Sequence, residues 1–551
     1  MKGTLLETFF TRSPHPWPMD HLSLKKLKEL KAQAVQLYEQ GKYPRAGELF
    51  SELRQRDPGD IDAYNFLGLI GLQTDDLPAA KEAYETALRL DTENADLWNN
   101  LGLVLCKMKL WPLAEKCMRA ALKLAPHQVP SQFNLGRTLL SQSQFEEASA
   151  LFAGLPKEYG ANHEYQFMVG TCHLRLNRLE AAETALRRAL ELSPGLVEGY
   201  NNLGVTLRLQ GKVGEAMALF EEALQLQESH PETHINRATL RLLQGDFAQG
   251  WSEFEYRFTS YRLLFGTEEL TMERWNGEPM PGKTILLLAE QGLGDTLQFV
   301  RFAEQVRARC GRVILECQKN LARLLRGVAG IDQIILQGPS QPPRPPFDSW
   351  APLLSLPRFF TPTLESIPAP VPYLGRSLPA RVRPPGAPLR VGIVWAGSPT
   401  HAEDRVRSFP VEMFTSLRDL PGVELVSLQK FKGEDPVPGE IPFPNAVAGC
   451  RDFLDTARVV ADLDLVISVD TAVAHLAGAM GKPLWLLLPC HAEWRWLLDR
   501  TDSPWYPTAR LLRLARPGDW EELRERLARA LVEAALLPTL APAPVSIAPS
   551  S

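Results

Sequence analysis

The N-terminal half of the chain repeats a pattern of small and large residues with a period of 34. Segments that start at residues 27, 61, 95, 129, 163, 197 and 231 align without any insertion. The eighth position of each segment is small: Ala34, Gly68, Gly102, Gly136, Gly170, Gly204 and Ala238. The twentieth position is also small: Ala46, Ala80, Ala114, Ala148, Ala182, Ala216 and Gly250. The twenty-fourth position is large: Phe50, Tyr84, Met118, Phe152, Leu186, Phe220 and Phe254. Small residues let two helices approach closely and stacking buries the large ones, so the pattern predicts an α-solenoid.

This pattern resembles the tetratricopeptide repeat, in seven copies that keep one register. The resemblance implies a concave groove lined by the first helix of each repeat. The sixth position is asparagine in four repeats: Asn100, Asn134, Asn202 and Asn236. An asparagine amide both donates and accepts, so these residues are candidates for binding the backbone of an extended protein acceptor. The repeat superhelix of O-GlcNAc transferases, which this array resembles, uses an asparagine ladder in that way. The alternative is that asparagine is merely tolerated on a solvated face.

From Trp275 onward, short apolar runs alternate with helical segments. The runs predict strands over 284–288, 313–316, 331–336, 389–395, 423–428, 465–469 and 484–488, and a closing helix over 520–535. Prolines are dense at 341–346, 367–372 and 381–388, which indicates loops and a linker between two sets of strands. The predicted fold class is therefore α plus α/β, with two Rossmann-like lobes and a cleft between them.

The predicted domain boundaries follow these changes of pattern. They comprise an N-terminal extension (1–26), a solenoid (27–264), a first lobe (265–376), a linker (377–388), a second lobe (389–536) and a disordered tail (537–551).

The run over 465–469 ends on Asp470 and Thr471, two residue types that favour the N-cap of a helix. Small residues follow, and Gly481 and Pro483 then indicate the end of a helix. A helix that starts at the carboxyl end of a parallel strand favours an anion, because its free N–H groups and its dipole attract phosphate. The alternative is an ordinary β–α unit of a large α/β domain.

Composition excludes several classes of function. The net charge of −5 over 551 residues provides no basic footprint for nucleic acid. The seven cysteines form no CxxC pair, which favours reduced thiols and a cytoplasmic protein. No apolar run approaches ~20 residues, and the first residues lack a signal-peptide core, so no membrane span is expected. The Asp462–Asp464 DxD is assigned no metal role, because Asp464 opens a predicted buried strand.

Three motifs carry a second resemblance: GLGDTLQF, LRVGIVWAG and VISVDTAVAHLAGA. They resemble landmarks of the ADP-heptose:lipopolysaccharide heptosyltransferase family, whose members are metal-independent GT-B glycosyltransferases. The order of a repeat array followed by this half resembles bacterial tetratricopeptide glycosyltransferases. The resemblance implies a nucleotide-sugar substrate, no metal and no other cofactor.

The resemblance also implies roles for particular residues. Asp295 stands where the family has its general base, although an aspartate there also caps the following helix. Arg405 and Arg407 lie in the loop where the family places a cation against the diphosphate, and Arg407 is favoured because it adjoins Ser408.

The family's Asp-Thr-Gly turn corresponds to Asp470, Thr471 and Ala472, and the alanine narrows the room for backbone approach to the donor. His475 matches a family histidine that can hydrogen-bond phosphate or sugar, although a structural helix histidine is the alternative.

The sequence thus predicts a cytoplasmic, inverting glycosyltransferase of GT-B type whose solenoid selects a protein acceptor. Flagellin or another surface protein is an acceptor class that rests on the resemblance alone. The alternatives are a transferase that acts on lipopolysaccharide or another glycan, and a catalytically inactive tetratricopeptide scaffold.

Overall fold

A computed structural model describes residues 21–261, 270–338, 341–398, 404–430, 443–516 and 518–540. Most of the predicted N-terminal extension and of the predicted tail, residues 1–20 and 541–551, lies outside the described residues. The chain forms two compact units that divide between Gly199 and Tyr200. This division follows packing, whereas the predicted domain boundaries follow changes in sequence pattern.

The first unit consists of helix pairs. Its helices are α1 (His21–Glu39), α2 (Tyr43–Arg56), α3 (Ile61–Gln73), α4 (Leu77–Leu90), α5 (Ala95–Lys107), α6 (Trp111–Leu124), α7 (Val129–Ser141), α8 (Phe145–Ala153), α9 (His163–Arg175) and α10 (Leu179–Leu192). The first helices of repeats two to five begin at the predicted residues 61, 95, 129 and 163. Only α1 begins earlier, at His21 instead of residue 27.

The small residues act as the pattern predicts. A Cβ atom built on Gly68 would lie 2.5 Å from the Tyr84 ring, and one on Gly136 would lie 2.6 Å from the Phe152 ring. The same close approach joins Gly102 to Met118 at 2.6 Å. The eighth and twenty-fourth positions of one repeat therefore pack directly on each other, which explains why one is small and the other large.

The second unit begins with the remaining repeats. Their helices are α11 (Val197–Leu209, which spans the division), α12 (Val213–Leu226), α13 (Pro231–Leu243) and α14 (Phe247–Phe254), followed by α15 (Arg257–Tyr261). Here too, Gly204 packs on Phe220, with a Cβ distance of 2.5 Å.

The first α/β lobe contains a parallel sheet of β1 (Met280–Leu288), β2 (Cys310–Cys317), β3 (Gln333–Leu336) and β4 (Ser349–Pro352) in the order β3-β2-β1-β4. Its helices are α16 (Leu293–Phe299), α17 (Ala303–Arg309), α18 (Ala322–Leu325) and α19 (Pro357–Phe360). A 3₁₀ turn, Val300–Phe302, separates α16 from α17, and strand β4 was not predicted.

The second lobe contains a parallel sheet of β5 (Leu389–Val394), β6 (Val423–Ser427), β7 (Leu465–Val469), β8 (Leu484–Leu488) and β9 (Ala509–Arg513) in the order β6-β5-β7-β8-β9. Its helices are α20 (Asp404–Arg407), α21 (Glu412–Thr415), α22 (Phe453–Ala461), α23 (Ala472–Ala479) and α24 (Trp520–Leu536). β7 and β8 coincide with the predicted strands because both are buried on both faces. The prediction of an α-solenoid followed by parallel α/β lobes is confirmed.

Residues 377–388, the predicted linker, contain neither helix nor strand. Among the residues that the structure describes, no helix has the combined length and hydrophobicity needed to span a membrane.

Candidate functional site

The turn after β1 carries the predicted base. Its residues run from Glu290 to Asp295, and Gln291 adopts a left-handed backbone conformation with φ of 59°. Helix α16 begins at Leu293, and the Asp295 carboxylate reaches back to accept the Gly292 N–H at 2.8 Å. The alternative reading of Asp295 as a helix-capping residue therefore describes a real contact.

The other oxygen of Asp295 accepts a hydrogen bond from Arg495, which lies 200 positions further along the chain. The Arg495 Nε–H donates to the Gln298 side chain at 2.7 Å, and its remaining terminal nitrogen pairs with Glu493. The Arg495 side chain is 10% exposed and that of Asp295 is 16% exposed. One buried guanidinium of the second lobe thus joins two carboxylates, one from each lobe.

Glu493 is the most strongly perturbed acid of this group. Burial raises the pKa of Glu493 to about 8, because Asp470 and Asp295 add to the burial and the nearby Arg495 offsets only part of it. Its side chain is still 27% exposed. Neither Glu493 nor Arg495 was predicted as a site residue, since nothing local in Glu493-Trp494-Arg495 indicates which residues they meet.

The turn after β7 carries Asp470 and Thr471. Asp470 accepts a hydrogen bond from the Trp496 indole N–H at 2.7 Å, and its other oxygen lies 3.6 Å from Nε2 of His475. Burial by itself would raise the pKa of Asp470, but the contact and charge of His475 and the bond from Trp496 lower it to about 2. Asp470 is therefore ionised at neutral pH.

Thr471 is the N-cap residue of α23, yet its side chain forms no cap hydrogen bond. Its hydroxyl lies 3.0 Å from that of Ser468. The first amide groups of a helix have no partner within the helix, so this terminus retains donors for an anion. Ala472 is the first residue of the helix and adds only a methyl group beside them.

The two turns meet at Gly294 and His475. A Cβ atom on Gly294 would lie 2.8 Å from Cδ2 of His475, so only glycine admits the imidazole at this distance. His475 is buried, its Nδ1 lies 2.8 Å from the Tyr506 hydroxyl, and its ring stacks on Trp496 at 5.6 Å. The structure therefore brings together Asp295, Asp470, Thr471 and His475 at the carboxyl ends of β1 and β7.

The loop after β5 carries the predicted cations. Arg407 pairs with Asp404 at 3.1 Å, and both side chains pack on the backbone of Gly397. The Gly397 N–H donates to the Ser408 hydroxyl at 3.0 Å. Because β5 pairs with β7, this loop leaves the same sheet edge as the Asp470 turn. The Arg405 side chain lies outside the described part of the structure.

The asparagines form pairs across consecutive repeats. Three of the four predicted asparagines donate from their amide to an asparagine at the fifth position of the preceding repeat: Asn100 to Asn65 at 3.4 Å, Asn134 to Asn99 at 3.0 Å and Asn236 to Asn201 at 2.8 Å. Asn202 accepts from Asn201 at 3.3 Å. Sequence reasoning missed the fifth-position asparagines, although the doublets 99–100 and 201–202 were a visible signal.

Comparison with known proteins agrees with these two kinds of architecture. Tetratricopeptide repeat models match residues 31–95, 72–129, 133–197 and 198–230. The model of glycosyltransferase family 9 (heptosyltransferase) matches residues 438–496, which include β7, α23 and β8. The chain thus combines tetratricopeptide repeats with a region that is similar to glycosyltransferase family 9.

One curated relative is Protein FlbA of Caulobacter vibrioides (strain ATCC 19089 / CIP 103742 / CB 15), 27% identical over 408 residues that cover 68% of each chain. Among solved structures, YrrB, a tetratricopeptide protein with an unusual peptide-binding site, is 22% identical over 34% of this chain and 96% of its own, with a TM-score of 0.30. The Pseudomonas aeruginosa pilF protein is 16% identical over 39% of this chain and 98% of its own, with a TM-score of 0.35.

The family 9 match and the repeats together support a glycosyltransferase with a tetratricopeptide module. Among the described residues, no group of three or more His, Cys, Asp or Glu side chains is arranged to hold a metal ion.

Proposed function

We propose that this protein is a metal-independent, inverting glycosyltransferase of GT-B type that transfers a sugar from a nucleotide-sugar to a protein acceptor. The observation that carries the proposal is the meeting of two strand–turn–helix units, one with a carboxylate and one with an uncapped helix terminus. Gly294 packs on His475 at this junction, and Arg495 bonds to Asp295 across it.

Asp295 acts as the general base. The acceptor hydroxyl oxygen forms a bond to C1 of the sugar, its proton passes to Asp295, and the bond from C1 to the diphosphate breaks with its electron pair on the diphosphate. A single displacement of this kind inverts the configuration at C1. A carboxylate has about four lone-pair sites, so the bonds from Gly292 and Arg495 leave room for an acceptor hydroxyl.

The donor diphosphate binds at the start of α23. The N–H groups of the first turn face it, and the helix dipole favours its negative charge. Arg407 contributes a guanidinium from the loop after β5, for which it exchanges its pairing with Asp404. Ala472 and His475 line the same turn.

The solenoid binds the acceptor. Asn100, Asn134, Asn202 and Asn236 lie on the first helices of their repeats. Their pairing with fifth-position asparagines orients the amides, and the remaining amide groups bind the peptide backbone of the acceptor. A flagellin or another surface protein is the acceptor class that the resemblance suggests, in a cytoplasmic reaction.

A thermal-shift screen of nucleotides and nucleotide-sugars tests the donor half of this proposal. A ligand that binds only the native state raises the free energy of unfolding, by about 2.7 kcal/mol when its concentration is a hundred times its Kd. The melting temperature rises accordingly. We expect a nucleoside diphosphate and its sugar conjugate to raise it. No shift with any nucleotide would favour a scaffold without transferase activity.

Replacement of Asn100, Asn134, Asn202 and Asn236 by alanine tests the acceptor half. We expect slower modification of an intact protein acceptor with unchanged nucleotide binding. The matched control replaces Asn65, Asn99 and Asn201, which breaks the same amide pairs from the other side. If both sets of variants modify the protein acceptor at the parent rate, the groove has no role in acceptor selection, and a glycan acceptor becomes the better hypothesis.

A further inference from the structure

Arg257 lies in α15, directly after the last repeat, and its side chain is completely buried. Its guanidinium meets the Glu290 carboxylate with two bonds, from Nε at 3.1 Å and from Nη2 at 2.9 Å. Glu290 is the first residue of the turn that carries Asp295. A helix contributed by the repeat-bearing part of the chain therefore contacts the turn of the candidate site.

The remaining groups around this pair hold it in one geometry. Arg257 also donates to the Ser355 hydroxyl at 2.8 Å and to the Phe254 carbonyl at 3.1 Å, and it pairs with Glu255 at 2.6 Å. Its guanidinium lies 4.3 Å from the centre of the Phe258 ring. Glu290 additionally accepts the Leu354 N–H at 3.2 Å. Every polar partner here is supplied by the protein, so both side chains have a single well-defined position.

A buried ion pair of this kind is weak evidence for stability. Removing two charges from water costs several kcal/mol per ion, and an apolar pair of similar volume is often as stable or more stable. The pair is therefore better explained by the position that it imposes. Between Glu290 and Asp295 the chain contains Gln291 in a left-handed conformation and two glycines, Gly292 and Gly294, which leave the backbone many alternatives.

We propose that Arg257 is a positioning residue for the Asp295 turn, so that the last helix after the repeats forms part of the catalytic scaffold. The proposal rests on the proposed function in naming Asp295 as the base. Arg257 itself does not touch the substrate. It holds Glu290, and Glu290 sets the point from which the turn starts.

The test uses the full chain with Arg257→Met, Arg257→Lys, and the apolar double variant Arg257→Met/Glu290→Met. Hydrogen exchange of peptides over 289–299 measures the order of the turn, and kcat and KM measure transfer. For Arg257→Met we expect exchange in these peptides to be roughly tenfold faster. We expect kcat to fall about tenfold to a hundredfold, because small misplacements of a reacting group are costly, while KM for the donor stays near the parent value.

The double variant separates positioning from stability. It removes both charges, so we expect it to recover much of the melting temperature that Arg257→Met loses. Its kcat should stay low and its turn should still exchange fast. Arg257→Lys keeps the positive charge but lacks the planar guanidinium that binds both oxygens of Glu290. We therefore expect its kcat and its exchange rate over 289–299 to lie between those of the parent and of Arg257→Met. If the double variant regains the parent kcat together with its melting temperature, the pair is only structural and the proposal is wrong.

Glu316→Gln serves as the control. Glu316 lies near the end of the neighbouring strand β2 and is buried, and its carboxylate pairs with Arg344 at 2.6 Å. Its backbone oxygen accepts the Ala289 N–H at 2.9 Å, a bond that the substitution leaves in place. Glu316→Gln should leave exchange over 289–299 and kcat unchanged. Hydrogen exchange can be measured without substrate. If the parent protein shows no transferase activity but Arg257→Met still speeds exchange over 289–299, the proposed function is wrong and the positioning of the turn by Arg257 stands. If Arg257→Met or Arg257→Lys keeps the parent's transferase activity and its exchange over 289–299, the positioning role of Arg257 is wrong and the proposed function stands.

Discussion

The turn after β1 and the turn after β7 begin alike but place their aspartate differently relative to the start of the following helix. In both, a parallel strand whose last residues are buried leads through an acidic residue and small residues into a short helix. In the first, Asp295 lies inside the helix and bonds back to the Gly292 N–H. In the second, Asp470 precedes the helix and faces Trp496 and His475.

The position of one carboxylate explains the difference. Asp295 accepts a hydrogen bond from the Gly292 N–H at the start of α16 and places a negative charge there. Thr471, by contrast, forms no side-chain cap hydrogen bond on α23. The first terminus is therefore suited to holding a base and the second to holding an anion. Under the proposed function, the same supersecondary unit serves two different chemical roles, depending on where the acidic residue lies relative to the helix start.

Replacing Asp295, the proposed base, should have the largest effect. Asp295→Asn can still accept the Gly292 N–H, but its amide cannot take a proton and faces Arg495 without a charge. We expect transfer at least ~100-fold slower with nearly normal donor binding, measured in single turnovers at saturating donor. We also expect a slightly lower melting temperature, because Arg495 loses one of its carboxylate partners.

A variant Asp295→Asn that keeps most of its transfer rate would make Asp295 a capping residue only. Glu290 would not replace it, because both of its oxygens bond to Arg257 inside the protein. Glu493, which is partly exposed beside Arg495, would then be the next candidate.

Arg407→Ala tests the anion site of the second turn. Loss of one charged hydrogen-bond partner corresponds to roughly 1.5–3 kcal/mol of donor binding energy, or about tenfold to a hundredfold in Kd. Titration calorimetry with the nucleoside diphosphate measures it. Arg418→Ala, at an exposed arginine paired only loosely with Asp419 at 3.4 Å, is the control. If the folded Arg407→Ala and Arg418→Ala proteins bind the nucleoside diphosphate equally well, Arg407 does not contact the diphosphate, and Arg405 would be tested next.

The smallest effect concerns the pH dependence of stability. The pKa of Glu493 is raised from an ordinary 4.5 to about 8, so folding takes up a proton between these values. The stabilisation is complete below about pH 4.5 and is lost as the pH rises towards 8. Glu493→Gln cannot ionise, so we expect its melting temperature to fall less between pH 5 and pH 8 than that of the parent.

Glu493→Asp keeps an ionisable group and should retain the parent's slope of melting temperature against pH. Parallel curves for the parent and Glu493→Gln would mean that Glu493 does not carry a raised pKa. The lowered pKa of Asp470, about 2, acts only at more acidic pH and does not interfere.

The amino-acid sequence by itself determined the elements whose contacts are local. Apart from α1, the first helix of each repeat begins where the period of 34 predicts, and the eighth and twenty-fourth positions of one repeat pack on each other. Strands β7 and β8 were predicted with their observed bounds, because a strand buried on both faces is apolar throughout. The short strand β4, Ser349–Pro352, lacks such a signal and was missed.

The partners of the site residues were decided only by the tertiary structure. Asp295 and Asp470 were predicted as site residues from the turns they occupy and the family resemblance, but Arg495 meets Asp295 across 200 positions and Arg257 meets Glu290 across 33. The paired asparagines likewise depend on which faces of consecutive repeats come together. The contacts of Asp295 and Glu290, by contrast, follow from the order of strands in the sheets and the packing of helices on them, and no periodicity of the chain encodes them locally.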